Sequence, residues 1–283
     1  MKKTVAVIGA GTMGSGIALC AAQQGFKVIL LESNEAVLDK AIDNLKVNMS
    51  QLVNKGKITA DQQVEIFNNL TTTTHINDCR ADILIEAIIE KLDAKVGLFK
   101  ALAAINNPES ILASNTSSLS INELQKQIPN PERVAGLHFF NPAQLMKLVE
   151  VVQGEQTHVA VVDALLEFCR HLGKTPVICK DSPGFIVNRV ARHYYLEAMK
   201  LVELKIASYE NVDEIMEASG FRMGPFKLMD LIGMDINLAV STSLYDAFHQ
   251  TPRFKPSPLQ IGKVKAGELG RKSGKGFYEY NVQ

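Results

Sequence analysis

Two side chains that could exchange a proton lie inside apolar stretches of this sequence. His138 occurs in the run VAGLHFF at 134–140, and Glu150 occurs in the run LVEVV at 148–152. If these runs form an antiparallel hairpin that turns near 141–145, the imidazole and the carboxylate become cross-strand neighbours. A carboxylate in that position fixes the imidazole tautomer and stabilises its protonated form, as a general base requires. A structural histidine beside a structural glutamate has the same spacing, and spacing alone favours that interpretation.

A glycine-rich segment near the start of the chain has the pattern of a dinucleotide-binding turn. Residues 9–14 read GAGTMG and match GxGxxG between an apolar, β-branched run at 4–8 and a helical pattern. In such a turn the first glycine permits a tight bend, the second lets a pyrophosphate approach the backbone, and the third lets helix and strand pack closely. The N–H groups at the helix N-terminus then face the phosphates. The pattern predicts cofactor contacts by Gly9, Gly11, Thr12, Met13 and Gly14.

Glu32 favours NAD as the cofactor. It ends a second apolar run at 27–32 and lies 18 positions after Gly14. A carboxylate about 20 positions after the glycine motif accepts the ribose hydroxyls of NAD. The same negative charge would repel the 2′-phosphate of NADP. The structural alternative is a glycine turn followed by a solvated glutamate.

Two further polar features could contact a substrate. Residues 114–118 read SNTSS and follow the apolar run 111–113, so they should lie at the carboxyl end of a strand, where open α/β sheets bind ligands. A turn stabilised by its own hydroxyl groups explains this run equally well. Asn188 is a single amide near the start of a helical pattern, and by itself such a residue is more often a surface residue than a catalytic one.

The elements that must position these residues alternate between strand-like and helical patterns. Between most of the apolar runs, apolar residues recur every three or four positions, which is the pattern of an amphipathic helix. The residues from Val37 to Leu52 form one such apolar stripe. A second helical segment at 61–69 should fold back against this helix. This alternation predicts an α/β fold, a Rossmann-type doubly wound parallel sheet with an antiparallel extension. The apolar runs predict strands at 4–8, 27–32, 83–87, 111–113, 134–140, 148–152 and 177–179.

The pattern changes after the DSPG segment that ends at residue 184. Strand-like runs disappear, and helical patterns follow at 185–206 and 209–219, the second with Ser208 as its N-cap; Pro225 suits the start of a third helix. The sequence therefore predicts two domains. They are a dinucleotide-binding domain at 1–184 and an all-α C-terminal domain at 185–283, which would contact substrate and a partner subunit.

Composition argues against several classes of function. The 283 residues include 30 Lys and Arg and 30 Asp and Glu, so no global charge recruits nucleic acid or an anionic membrane surface. The 4 cysteines lack a CxxC spacing, which argues against a disulfide framework or a metal site and favours a reduced, cytoplasmic compartment. No stretch approaches the ~18 apolar residues of a membrane span. The N-terminal residues resemble a secretory signal with a near-lipobox at 17–20, but glycines within 9–25 argue against one.

The chain resembles the 3-hydroxyacyl-CoA dehydrogenase family in a series of motifs: GAGTMGSGIA, LIEAIIE, ILASNTSSLSI, GLHFFNP, MKLVEVV, DSPGFIVNR, MGPF and GRKSGKGFYEY. They occur in order, without large gaps, from the first predicted strand to Tyr280. Within the family, the chain is most similar to the bacterial members that act on 3-hydroxybutyryl-CoA. The resemblance therefore favours a catalytic role for His138 over the purely structural role that spacing alone favours.

The resemblance also implies roles for individual residues. It implies that His138 is the general base and that Glu150 orients it. It implies that Ser117 and Asn188 hydrogen-bond the substrate oxygen. The cofactor contacts that it adds are Glu90, Lys95, Ser117, Asn141 and Lys272. The substrate contacts that it implies are Ser50, Lys55, Lys57 and Ser117. The first three lie in a helical arm that would contact coenzyme A.

Two departures from the family pattern are visible. Glu32 stands where many relatives have Asp, which preserves the preference for NAD. Gln51 and Asn54 stand where relatives often have Lys, which would weaken coenzyme A binding because positive charge suits its phosphates.

The activity that the resemblance implies is a reversible, NAD-linked interconversion of a short-chain (S)-3-hydroxyacyl-CoA, such as 3-hydroxybutyryl-CoA, and the 3-oxoacyl-CoA. It implies a homodimer or higher homo-oligomer, while the balanced charge predicts no nucleic-acid or membrane partner. Two alternatives stay open: a dehydrogenase of a free hydroxy acid on the same scaffold, and a non-catalytic, crystallin-like relative.

Overall fold

The computed structural model describes residues 3–281. The chain divides into two compact units, with the boundary between Ser182 and Pro183. Each unit has its own hydrophobic core. Across residues 3–281, no helix combines the length and the hydropathy that crossing a bilayer requires.

In the described part of the first unit, strands form an eight-stranded sheet in the order β3-β2-β1-β4-β5-β6-β7-β8. Neighbours from β3 to β6 are parallel, β7 is antiparallel to β6, and β8 is parallel to β7. The first six strands therefore have the order of a Rossmann sheet, which confirms the predicted fold class. The strands are β1 (Thr4–Ile8), β2 (Lys27–Leu31), β3 (Leu70–Thr73), β4 (Ile83–Glu86), β5 (Ile111–Ser114), β6 (Val134–Phe139), β7 (Leu148–Gln153) and β8 (Thr175–Lys180).

Helices connect most of these strands and cover the apolar sheet. The predicted stripe of the second helix is confirmed, because the helix buries Leu38, Ala41, Leu45 and Met49. Asn34 caps its N-terminus by accepting a hydrogen bond from the backbone of Val37 at 3.2 Å. The helices of this unit are α1 (Thr12–Gln23), α2 (Glu35–Asn54), α3 (Ala60–Asn68), α4 (Leu92–Ile105), α5 (Ile121–Gln125) and α6 (Val159–His171).

The two edge strands differ most from the sequence prediction. β3 was not predicted, because its sequence LTTT is polar and its side chains are mostly half-buried. β8 begins at Thr175, two residues before the predicted run, and it contains Pro176. An edge strand has a neighbouring strand on one side only. It can therefore contain exposed polar residues, and it can contain a proline because some of its backbone N–H groups have no strand to bind.

Helices make up most of the described part of the second unit. Ser208 caps the helix that follows it by accepting a hydrogen bond from the backbone of Asn211, and Pro225 begins the next helix, as predicted. The helix predicted from 185 begins at Val187 instead, because Gly184 and Phe185 have positive φ angles of 73° and 49°. The helices are α7 (Val187–Glu203), α8 (Tyr209–Ala218), α9 (Pro225–Ile232), α10 (Met234–Ala247) and α11 (Pro258–Lys265).

Close packing of β6 against β7 predicts a stability effect at Gly136. A Cβ on Gly136 would lie 2.7 Å from Cβ of its register partner, Val152. We expect Gly136→Ala to lower the free energy of unfolding by about 1–3 kcal/mol through overpacking. Gly97, inside α4, has no atom within 4 Å of an added Cβ, so Gly97→Ala should raise stability by about 0.5–1 kcal/mol. Urea denaturation followed by circular dichroism measures both; equal effects would contradict the packing argument.

Candidate active site

The antiparallel pairing of β6 and β7 places His138 directly opposite Glu150, in the register predicted from the sequence. Nδ1 of His138 lies 2.7 Å from Oε2 of Glu150, and both side chains are buried, with 7% and 1% of their surface exposed. An ionised carboxylate can only accept a hydrogen bond, so this contact places a proton on Nδ1 and the lone pair on Nε2. In this tautomer Nε2 is the nitrogen that can accept a proton.

The backbone around His138 is fixed by a residue from the neighbouring strand end. Oδ1 of Asn115 accepts a hydrogen bond from the backbone N–H of Phe139 at 2.9 Å, while its own N–H donates to the carbonyl of Glu86 at 2.8 Å. Asn115 therefore ties the ends of three strands together. The ring of Phe140 packs against the imidazole with centroids 4.5 Å apart.

A cluster of three charges, of which Glu86 and Lys95 are buried and Glu90 is partly exposed, lies at the carboxyl ends of β4 and β5. Nζ of Lys95 contacts both carboxylate oxygens of Glu86, at 2.7 and 2.8 Å, and Oε2 of Glu90 at 3.0 Å. The Ser114 hydroxyl donates to Glu86 at 2.6 Å. The ammonium group has three donors, and all three are directed at carboxylate oxygens. Lys95 thus links two glutamates that would otherwise repel each other.

Glu90 holds the polar segment that follows β5. Its Oε1 accepts hydrogen bonds from the Thr116 hydroxyl at 2.6 Å, from the Ser117 N–H at 3.0 Å and from the Ser118 N–H at 3.2 Å. Burial alone would raise the pKa of Glu90, but the charge of Lys95 and the hydrogen bonds from Thr116 and Ser117 together hold that pKa below its usual value. The ionised carboxylate therefore orients the backbone of Ser117.

The glycine-rich turn between β1 and α1 has the packing that a dinucleotide site needs. Gly9 has a φ of 102°, and a Cβ there would lie 2.6 Å from the carbonyl oxygen of Ala87. A Cβ on Gly14 would lie 1.8 Å from the carbonyl oxygen of Gly9. An added Cβ on Gly11 meets no atom within 4 Å, so this face of the turn is accessible to a ligand. The first and third glycines thus allow close backbone packing, and the second leaves room for a phosphate.

The N-terminus of α1 is suited to bind an anion. Gly11 is its N-cap, no side chain caps its N–H groups, and its first turn has no acidic residue. Glu32 lies beside this turn, where its Oε2 accepts the N–H of Ala10 at 3.1 Å and its Oε1 accepts the N–H of Asn34 at 3.2 Å. A carboxylate fixed at the end of β2 is placed to accept ribose hydroxyls.

A buried lysine anchors the segment that contains Asn141. Nζ of Lys174 donates to the backbone carbonyls of Ala143 and Met146, the second at 2.9 Å. These contacts fix residues 141–146, between β6 and β7. Asn141 is exposed within this segment. Nothing in the sequence pattern distinguishes Lys174 from a surface lysine.

Ser50, Lys55 and Lys57 lie near the C-terminal end of α2, and all three are exposed. The hydroxyl of Ser50 accepts a hydrogen bond from the Gln63 amide in α3 at 3.3 Å. Gln51 and Asn54, the two departures from the family pattern, are exposed on the same stretch. This end of the helical arm therefore carries two lysine ammonium groups and several neutral polar groups.

The two remaining site candidates belong to the second unit. Asn188 lies in the first turn of α7 and is half-buried. Nζ of Lys272 forms an ion pair with Asp235, with the longer contact at 2.7 Å. Within residues 3–281, no cluster of His, Cys, Asp or Glu could hold a metal ion.

Sequence reasoning missed Glu86, although a signal for it exists. Glu86 is a charge inside an apolar run, ILIEA, which is the same feature that identified His138 and Glu150. A fully buried carboxylate needs a cation or several hydrogen-bond donors beside it. The helical segment that follows contains Lys95, but only the packing of α4 onto the sheet brings the two together.

The lowered pKa of Glu90 leads to a pH-dependent prediction. A group whose pKa is lower in the folded protein contributes stability above its unfolded pKa and loses that contribution as the pH falls through the folded value. We expect Glu90→Gln to lower the melting temperature at pH 7, with a loss of roughly 1 kcal/mol because the carboxylate is partly exposed. The difference from wild type should shrink below about pH 4. Thermal denaturation at pH 7, 5 and 3.5 tests this; a difference that does not depend on pH would contradict it.

Comparisons with known proteins identify the family and the relatives of this chain. The NAD binding domain of 3-hydroxyacyl-CoA dehydrogenase matches residues 4–182, and the C-terminal domain of the same family matches residues 184–280. The 3-hydroxybutyryl-CoA dehydrogenase of Clostridioides difficile is 40% identical over 279 residues, which cover 98% of this chain and 99% of that protein. The crystal structure of (S)-3-hydroxybutyryl-CoA dehydrogenase from Ralstonia eutropha superposes with a TM-score of 0.95 at 37% identity, covering 100% of both chains.

A further relative is longer than this chain. The 3-hydroxyadipyl-CoA dehydrogenase of Escherichia coli (strain K12) is 47% identical over 283 residues, which cover 99% of this chain but only 60% of the relative. The comparison therefore concerns the part of that protein that this chain matches.

Proposed function

The chain belongs to the 3-hydroxyacyl-CoA dehydrogenase family, and from this premise we propose that it interconverts a short-chain (S)-3-hydroxyacyl-CoA, such as (S)-3-hydroxybutyryl-CoA, and the 3-oxoacyl-CoA with NAD. The observation that carries this proposal is the buried pair of His138 and Glu150, with Nδ1 and Oε2 2.7 Å apart. The names of the relatives from Clostridioides difficile and Ralstonia eutropha support the substrate class.

His138 acts as the general base in the oxidative direction. Its Nε2 accepts the proton of the C3 hydroxyl while the hydrogen on C3 leaves as a hydride, so the alcohol becomes a ketone. Bound NAD supplies the acceptor for that hydride. Glu150 holds the imidazole ring in place and stabilises the imidazolium that forms. In the reductive direction the same nitrogen returns the proton to the oxygen.

Ser117 and Asn188 each donate a hydrogen bond to the substrate oxygen in this proposal. Donors placed where negative charge develops on an oxygen lower the barrier of the reaction. The hydrogen bonds from the segment after β5 to Glu90 support the assignment of Ser117, because they fix its backbone. Family resemblance supports the assignment of Asn188.

The cofactor contacts rest on the glycine turn and on family resemblance. The turn and the N-terminus of α1 would bind the pyrophosphate, and Glu32 would accept the adenosine ribose hydroxyls. The further contacts that we propose are Glu90, Lys95, Ser117, Asn141 and Lys272. Lys95 already binds two glutamates, so it would act on the cofactor chiefly through Glu90.

The end of the helical arm would bind coenzyme A. Lys55 and Lys57 supply exposed ammonium groups for its phosphates, and Ser50 supplies a hydroxyl. We further propose a homodimer that forms through the second unit, which exposes large apolar side chains such as Ile206, Ile215 and Phe221. The cytoplasm is the proposed compartment.

An assay of NADH oxidation tests the substrate class. Absorbance at 340 nm follows the reaction with acetoacetyl-CoA, and parallel reactions contain free acetoacetate or use NADPH. We expect rapid turnover only with acetoacetyl-CoA and NADH, because the site provides for coenzyme A and Glu32 repels a 2′-phosphate. Turnover with free acetoacetate but not with the thioester would indicate a dehydrogenase of free hydroxy acids. Absence of turnover with either would favour a non-catalytic relative.

Substitution of His138 tests the mechanism. We expect His138→Gln to lower kcat about 10²- to 10⁴-fold, the usual contribution of a positioned general base, while NADH affinity stays unchanged. His75→Gln is the matched control, because His75 is an exposed histidine in the same unit outside the proposed site. Steady-state kinetics and NADH fluorescence titration measure the two effects. Unchanged kcat in His138→Gln would remove this residue from the mechanism.

A further inference from the structure

Helix α7 carries a buried arginine whose charge is not neutralised by any carboxylate in residues 3–281. Arg192 is only 2% exposed. One of its terminal nitrogens, Nη1, donates to the carbonyl oxygen of Asn237 at 2.8 Å, to the hydroxyl of Ser241 at 2.9 Å and to Oδ1 of Asn237 at 3.2 Å. All of these acceptors are neutral. Burial accordingly lowers the pKa of Arg192 to about 10.

The same cluster has donors without acceptors. Nε of Arg192 and Nδ2 of Asn237 are both buried without a hydrogen-bond partner. The neutral acceptors are already shared, because Nε2 of Gln260 also donates to Oδ1 of Asn237 and to the hydroxyl of Ser241. Burying a cation with an unpaired donor is unfavourable, and an anion that accepts hydrogen bonds would offset both the charge and the unpaired donor. A carboxylate has both properties, and it matches the fork of a guanidinium group.

The position of Arg192 indicates where that carboxylate comes from. Arg192 follows Asn188 by four residues in α7, so the two side chains lie on the same face of the helix, about 6 Å apart at Cβ. Asn188 is the residue proposed to hold the C3 oxygen. A carboxylate only a few bonds beyond C3 of the acyl chain is therefore within reach of the long arginine side chain.

We propose that Arg192 is a specificity-determining residue that recognises a carboxylate at the far end of the acyl chain. This inference rests on the proposed function, since it needs the acyl-CoA to bind with its C3 oxygen at Asn188. The preferred substrates are then 3-hydroxyacyl-CoA thioesters of dicarboxylic acids. Among thioesters of equal length, one that ends in a carboxylate reacts with a higher kcat/KM than one that ends in a methyl group.

Two thioesters of equal chain length test the inference with NADH. The pair is 3-oxoadipyl-CoA, which ends in a carboxylate, and 3-oxohexanoyl-CoA, which ends in a methyl group. Wild type should prefer 3-oxoadipyl-CoA. Arg192→Met keeps an unbranched, flexible side chain and removes the guanidinium group with its charge. We expect this variant to lower the ratio of the two kcat/KM values about 10- to 100-fold, the usual effect of losing a hydrogen bond to a charged group.

Two controls separate specificity from folding. Lys200→Met removes an exposed positive charge two turns further along α7, and it should leave the ratio unchanged. Arg192→Lys keeps the charge without the fork, and it should recover part of the preference. The ratio is insensitive to a general loss of active protein, so partial unfolding of a variant does not mimic the effect.

The outcomes distinguish this inference from the proposed function. Equal kcat/KM values of wild type for the two thioesters would overturn the role of Arg192 while leaving the dehydrogenase activity in place. A ratio of the two kcat/KM values that is unchanged in Arg192→Met would do the same. Absence of turnover with acetoacetyl-CoA and with both six-carbon thioesters would overturn the proposed function itself.

Discussion

The candidate site depends on the antiparallel register between β6 and β7. This pairing, which is antiparallel while the other strand pairs described within residues 3–281 of this sheet are parallel, places His138 opposite Glu150. A shift by one residue would turn one of the two side chains to the other face of the sheet and separate the pair. Gly136 allows the close approach of Val152 that this register requires. Sheet packing and the contact between His138 and Glu150 are therefore fixed by the same strand pairing.

Buried charge is handled in two contrasting ways in this protein. At the ends of β4 and β5, Lys95 lies between Glu86 and Glu90, so the charge of Lys95 is paired with carboxylates and the polar segment after β5 is held by Glu90. In the second unit, Arg192 contacts only neutral acceptors. A protein interior solvates an isolated charge poorly, so the first arrangement favours rigidity and the second favours binding of an anion.

Much of the fold followed from the sequence, because most strands are buried and have apolar, β-branched runs. The GxGxxG turn, Glu32 and the His138–Glu150 register could all be predicted from spacing. The edge strand β3 could not, since half-exposed threonines leave no periodic signal. Lys95 and Lys174 also escaped notice as buried lysines, because a sequence shows the charge of a side chain and not its burial.

The sequence by itself determined which residue types could do the chemistry and in what order the elements that carry them occur. Local rules are sufficient for this, since strand runs, helix caps and glycine turns depend on neighbouring residues. Only the tertiary structure decided which polar groups share a cluster: Glu86 with Lys95, and Arg192 with the neutral amides of Asn237 and Gln260. Such contacts join distant segments, and electrostatic energy depends on burial and on the distance between charges, neither of which the linear sequence contains.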